Sequence, residues 1–93
     1  MSRLKKELLK EVTVLNDLGL HARPAAMIAK LALKAESNVW LIKNGEEVDA
    51  SSIIDILSLS GTKDSRITLR VDSPSDSEIL EQISALFEIG FEE

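Results

Sequence analysis

The only histidine of the sequence, His21, stands where a glycine-containing loop meets a predicted helix. Gly19 allows a sharp turn and Pro24 suits a first helical turn, so the helix is expected to begin at about Ala22. His21 is then the N-cap residue, beside the unpaired backbone amides of Ala22 and Arg23. Such helix ends bind anions, and a guanidinium suits phosphate oxygens. A histidine that only caps the helix is the alternative interpretation, but the combination favours a site that carries a phosphoryl group on nitrogen.

The hydropathy pattern predicts the strands and helices that must position this junction. Residues 22–35 have the Ala-, Leu- and Lys-rich composition of a helix, with small and aliphatic residues spaced to face a sheet. The dipeptide Asn44-Gly45 is a hairpin signal between two strand-like segments. The predicted order is β-α-β-β-α-β-α, with strands at 11–15, 39–42, 47–50 and 66–71 and helices at 22–35 and 53–59. A last helix begins either at Ser73-Pro74 or at a Ser75-x-x-Glu78 capping box, and it stops at Gly90.

The strand at 66–71 indicates how these elements are layered. Ile67, Leu69 and Val71 alternate with polar residues, which is typical of a sheet covered on one side only. This favours an α+β fold: an open-faced β-sandwich in which a four-stranded antiparallel sheet carries three helices on one face. A ferredoxin-like regulatory domain shares the order βαββαβ, and the pattern alone leaves it open.

Length, cysteine content and charge exclude several classes of protein. The 93 residues have room for one small domain, residues 1–93, in which residues 1–10 form an N-terminal extension, either a short helix or a loosely attached arm. Without cysteine there are no disulfides and no thiolate metal ligands. A formal charge of −5 disfavours nucleic acid as a partner. Neither a membrane-spanning run nor the apolar core of a signal peptide is evident, so a cytoplasmic protein is expected.

The segment Gly19-Leu20-His21-Ala22-Arg23-Pro24-Ala25 closely resembles the phosphorylation site of the HPr family. Its members are histidine phosphocarriers of the phosphoenolpyruvate-dependent sugar phosphotransferase system. The resemblance runs from about Glu11 to the end of the chain, and it includes residues 50–59, the strand at 67–69 and the ending at 86–93.

This resemblance implies a function and its residues. His21 would be phosphorylated on Nδ1, Ala22 and Arg23 would bind the phosphoryl group through their amides, and the Arg23 side chain would add charge. Enzyme I, charged by phosphoenolpyruvate, would be the donor and IIA domains of sugar permeases the acceptors, with no turnover of a small substrate. No metal or organic cofactor is implied, and a monomer is expected. The implied partner-binding residues are Leu20, Ala26, Met27, Lys30, Ile53, Ile54 and Leu57.

Ser52 matches the serine that a regulatory HPr kinase/phosphorylase modifies in many members, although a plain helix N-cap explains it equally simply. Asp55 stands where the family commonly has glycine, and its carboxylate beside the implied docking residues disfavours recognition by such a kinase. The segment 51–54 and the Phe-x-x-Gly-Phe-Glu-Glu ending also resemble the nitrogen-related branch. The alternative function is therefore that of a regulatory HPr-like protein that acts mainly by binding. A ferredoxin-like ligand sensor, in contrast, would give His21 and Arg23 no function.

Overall fold

A computed structural model describes residues 8–93. Its strands are β1 (Leu9–Thr13), β2 (Val39–Lys43), β3 (Glu46–Asp49) and β4 (Arg66–Val71), and its α-helices are α1 (Ala22–Ala32), α2 (Ile53–Ser58) and α3 (Ser77–Glu88). Two 3-10 turns, Pro74–Asp76 and Gly90–Glu92, flank α3. Of the predicted N-terminal extension, residues 1–7 lie outside the described range, and Leu9 and Lys10 are the first residues of β1.

The four strands form one antiparallel sheet in the order β1-β4-β2-β3. The Asn44-Gly45 turn joins β2 to β3 with positive φ at both residues (52° and 84°), as the hairpin signal predicts. The helices cover one face of this sheet, so the predicted open-faced β-sandwich is confirmed. None of the helices within residues 8–93 has the length and apolar composition needed to cross a bilayer.

The core lies between the covered face of the sheet and the helices. In β4 every second residue is buried, as the alternation predicts. In α1 the buried positions recur at helical spacing because one stripe faces the sheet. Phe87 and Phe91 are both fully buried and meet edge to face, with ring centroids 4.9 Å apart. The buried residues of these elements include Ala25, Ile28, Ala29, Ala32, Ile56, Leu59, Ile67, Leu69, Val71, Leu80, Ile83 and Phe87.

Two predicted helix ends differ from the structure. α1 ends at Ala32 because the amides of the next turn make tighter bonds, among them Ala35 N–H to the Ala32 carbonyl at 3.1 Å. The capping box at Ser75 is wrong: the Ser73 side chain caps the 3-10 turn that Pro74 opens, and α3 begins only at Ser77. The Ser75 hydroxyl instead contacts a glutamate of the α1–β2 loop.

Candidate functional site

The loop before α1 is fixed by a close contact between two backbone segments. Gly19 has a φ of +70°, and the next residue, Leu20, donates its N–H to the Gly61 carbonyl at 2.8 Å. A Cβ atom at Gly19 would lie 2.3 Å from that carbonyl oxygen. Glycine is therefore required here both by the positive φ and by the lack of room for a side chain. The turn places His21 directly at the start of the helix.

His21 is the N-cap residue of α1, as predicted, but its side chain does not cap the helix. The backbone of His21 is extended (φ −86°, ψ −166°). Its imidazole makes no bond to the first helical amides, and the N–H groups of Ala22 and Arg23 find no partner within residues 8–93. The first turn holds no acidic residue. This helix end is consequently open to an anion.

A carboxylate from the other end of the chain contacts His21. Both oxygens of Glu93 lie 2.9 Å from Nε2 of His21, and Oε1 also accepts a hydrogen bond from Nδ2 of Asn16 at 3.0 Å. Because an ionised carboxylate only accepts hydrogen bonds, Nε2 carries the hydrogen, and Nδ1 of the neutral ring keeps its lone pair. Neither Asn16 nor Glu93 is predicted as a site residue, because Asn16 reaches the imidazole through Glu93, and no local spacing connects Glu93 to either residue across more than 70 positions.

The Arg23 side chain also reaches the end of the chain. Its Nη1 donates to the Phe91 carbonyl at 3.0 Å and lies 3.4 Å from Oε2 of Glu93. The other guanidinium nitrogens have no partner in the described part of the chain, and the side chain is 53% exposed. Arg23 thus keeps most of its donors available beside His21.

These contacts determine the titration of Glu93. The hydrogen bond from His21 is the main cause that lowers the pKa of the Glu93 carboxyl below its ordinary 4.5. Partial burial opposes this shift, and the hydrogen bonds from Asn16 and Arg23 add to it. The carboxyl is therefore ionised throughout the neutral range.

This lowered pKa predicts how stability depends on pH. Because the folded value lies below the unfolded one, the ionised carboxylate stabilises the fold above about pH 4.5, and that contribution is lost as pH falls through the folded value. Glu93→Gln should be less stable than the parent at pH 7, with a difference that shrinks below pH 4.5, as urea unfolding at pH 7, 5 and 3 would measure. Glu92→Gln, which changes the neighbouring exposed carboxylate, is the matched control. A Glu93→Gln difference that is constant with pH would contradict the assignment.

A shallow groove lies between α1 and α2, next to the site. It is lined by Ala26, Ala29 and Lys30 of α1, by Leu33 directly after that helix, and by residues 51–54 at the start of α2. Ile54 is 77% exposed and Leu33 71%, which is unusual for large aliphatic side chains. Among the other residues implied by the resemblance, Ile53 belongs to this lining and is exposed, Leu57 is also exposed, and Met27 is half-buried and packs against the core.

Leu20 does not belong to this surface. It is only 5% exposed, and its side chain packs against Gly61, where a Cβ atom would lie 2.8 Å from Leu20 Cδ1. The resemblance implies a partner contact for Leu20, but the loop containing Gly61 covers it. Leu20 is a core residue.

Ser52 is the N-cap residue of α2, and its hydroxyl accepts a hydrogen bond from Asp55 N–H at 3.2 Å. The side chain is half-buried. Within residues 8–93 there is no group of three or more His, Asp or Glu side chains that could hold a metal ion.

The fold and the site define a class: a small open-faced β-sandwich with a histidine at an open helix N-terminus. Comparison with known proteins agrees. The family model for the PTS HPr component phosphorylation site matches residues 8–88. The phosphocarrier protein HPr of Cupriavidus necator is 37% identical over 84 residues, which are 90% of this chain and 94% of that protein. HPr of Thermoanaerobacter tengcongensis superimposes with a TM-score of 0.86 at 31% identity, over 94% of this chain and 98% of that one, and a dimer of that HPr superimposes with 0.72 at 35% identity, over 90% and 99%.

The chain belongs to the HPr family of phosphocarrier proteins of the phosphotransferase system. This confirms the resemblance drawn from residues 19–25 and removes the ferredoxin-like alternative.

Proposed function

We propose that the chain accepts a phosphoryl group from enzyme I on Nδ1 of His21 and passes it to IIA domains of sugar permeases. The observation that carries the proposal is the open N-terminus of α1, where His21 stands beside the amides of Ala22 and Arg23. In the acceptance step the lone pair of Nδ1 forms the N–P bond, and the bond between phosphorus and the donor breaks with its electrons leaving on the donor. The hydrogen on Nε2 stays in place, so no proton has to move.

The charges around His21 support this chemistry. A phosphoryl dianion beside the helix end interacts favourably with the helix dipole and with the unpartnered amides. The nitrogens of Arg23 other than Nη1 supply further donors. Glu93 lies against Nε2, the ring nitrogen that does not take the phosphoryl group.

The partners are proposed from the groove between α1 and α2. Its exposed aliphatic residues supply apolar area, and Lys30 supplies positive charge, so the matching surface of a partner is apolar with acidic residues at its edge. We propose that the protein is a cytoplasmic monomer. We also propose Ser52 as a target of HPr kinase/phosphorylase. Ser52 borders the same groove, so a phosphate there would put negative charge against an acidic partner.

Incubation with enzyme I and ³²P-labelled phosphoenolpyruvate tests the proposal. The expected result is one acid-labile, alkali-stable phosphate per chain, which is then lost to an added IIA domain. Absence of label would refute the carrier function. Label that no IIA domain removes would favour the alternative function, a regulatory HPr-like protein that acts by binding.

Arg23→Ala should slow phosphoryl transfer with little loss of stability. Charge-assisted hydrogen bonds contribute about 1.5–3 kcal/mol, so the rate should fall roughly 10- to 100-fold. The fold loses the bond to the Phe91 carbonyl, roughly 1 kcal/mol. Rapid-quench labelling and thermal unfolding measure the two effects.

Arg66→Ala is the matched control for Arg23→Ala. It removes the same charge on the opposite face of the sheet, where Arg66 pairs with Glu11 at 2.7 Å. We expect normal transfer by this variant. A variant at Arg23 that unfolds early but transfers normally would assign the residue to folding alone.

A further inference from the structure

We propose that Asn16 is a positioning residue for His21: its buried amide holds the Glu93 carboxylate against Nε2 and thereby keeps Nδ1 free to accept a phosphoryl group. The assignment of Nδ1 as acceptor rests on the proposed function. The positioning itself is a property of the unmodified protein.

Two hydrogen-bonded routes connect Asn16 to His21, one through the Gly19 carbonyl and one through the Glu93 carboxylate. Its Nδ2 donates to the Gly19 carbonyl at 2.7 Å, and the same carbonyl accepts the backbone N–H of His21 at 3.0 Å. The second Nδ2 hydrogen goes to Oε1 of Glu93, which also accepts from Nε2 of His21. Asn16, Gly19, His21 and Glu93 therefore form a closed ring of hydrogen bonds that fixes both the backbone and the imidazole of His21.

The orientation of the Asn16 amide is determined by its neighbours. Both groups that face Nδ2 are acceptors, a carbonyl and a carboxylate, so a flipped amide would set Oδ1 against two oxygens. In the observed orientation Oδ1 is buried and finds no partner within the described chain. Asn16 is 5% exposed, so water does not compensate fully for that lost bond. A residue that only filled the space would avoid this cost, which indicates that the two donated bonds are what asparagine supplies here.

Without Asn16 the Glu93 carboxylate would keep only His21 and the long 3.4 Å contact with Arg23. It would then leave Nε2 more often, and the imidazole would spend more time with its hydrogen on Nδ1. That tautomer has no lone pair for the N–P bond, so acceptance slows. The hydrogen bond at one ring nitrogen of a histidine commonly sets the state of the other in this way.

The test is ¹⁵N NMR of the His21 ring in full-length Asn16→Ala, with Asn38→Ala, an exposed asparagine, as the matched control. We expect the fraction of neutral ring with hydrogen on Nδ1 to rise, the pKa of Glu93 to rise because its bond from Asn16 is gone, and labelling by enzyme I to slow by about tenfold, as for outer partners of ligating histidines. A folded Asn16→Ala protein with unchanged tautomers and an unchanged Glu93 pKa would overturn the proposal.

A second measurement needs no variant. In the parent protein the Nδ2 shift of Asn16 should titrate together with the Glu93 carboxyl, at a midpoint below 4.5. An Asn16 amide that does not respond to Glu93 overturns the proposal even if Asn16→Ala fails to fold. Altered tautomers in Asn16→Ala together with an unlabelled parent would refute the carrier function and leave the positioning role standing.

Discussion

His21→Ala will take up no acid-labile phosphate from phosphoenolpyruvate and enzyme I, while the parent chain takes up one per molecule. The sequence has no second histidine and no cysteine that could replace it as a nitrogen or sulfur acceptor. The loss should therefore be complete rather than a decrease in rate. The fold should survive, because the side chain makes no bond to the helix and is partly exposed. Circular dichroism and autoradiography of the same samples check both statements.

Glu93→Gln is the matched control for His21→Ala. It removes the partner of the imidazole but leaves the imidazole itself, so labelling should persist at a reduced rate. Acid-labile label on His21→Ala would place the acceptor elsewhere and would contradict the proposed function.

Local signals in the sequence predicted most of the fold. Alternation in β4, the Asn44-Gly45 turn and the apolar stripe of α1 each depend on residues a few positions apart, and the structure confirms all three. The N-cap position of His21 was equally local, since Gly19 and Pro24 restrict where the helix begins. Such patterns are reliable because the geometry they describe is complete within one turn or one strand.

The rest of the site depends on contacts between distant parts of the chain. Glu93 reaches His21 across 72 positions because the 3-10 turn after α3 brings the end of the chain back to the start of α1. The burial of Leu20 depends likewise on the loop at Gly61, about 40 residues later. No spacing within the sequence encodes either contact.

The start of α3 is another feature that the local sequence does not predict. Ser75-x-x-Glu78 has the sequence of a capping box, yet Asp76 takes the N-cap position of α3. The Asp76 carboxylate is buried and accepts the backbone N–H groups of Glu36 and Ser37, each at 2.9 Å. Two bonds to a distant loop thus decide where the helix begins, although the local sequence favours another start.

Gly19→Ala should strongly destabilise the protein. Alanine at a φ of +70° costs about 1–2 kcal/mol, and the new methyl would lie 2.3 Å from the Gly61 oxygen. Relief of that overlap requires the two loops to separate, which breaks the bond from Leu20 N–H to Gly61 and opens the packing beneath it. The combined loss is expected to be roughly 3 kcal/mol or more, which lowers the melting temperature by at least about 10 °C.

Gly45→Ala separates the two causes of that loss. Gly45 has a comparable φ of +84°, but nothing lies within 4 Å of an added Cβ atom. It should lose only the conformational part, about 1–2 kcal/mol, and should transfer phosphate normally because the β2–β3 turn contributes no residue to the site. Gly19→Ala should also label slowly in its folded fraction, since the Gly19 carbonyl holds both His21 N–H and the Asn16 side chain. Equal losses of stability in the two variants would mean that the Gly19–Gly61 contact yields easily, and that conformation alone requires glycine before His21.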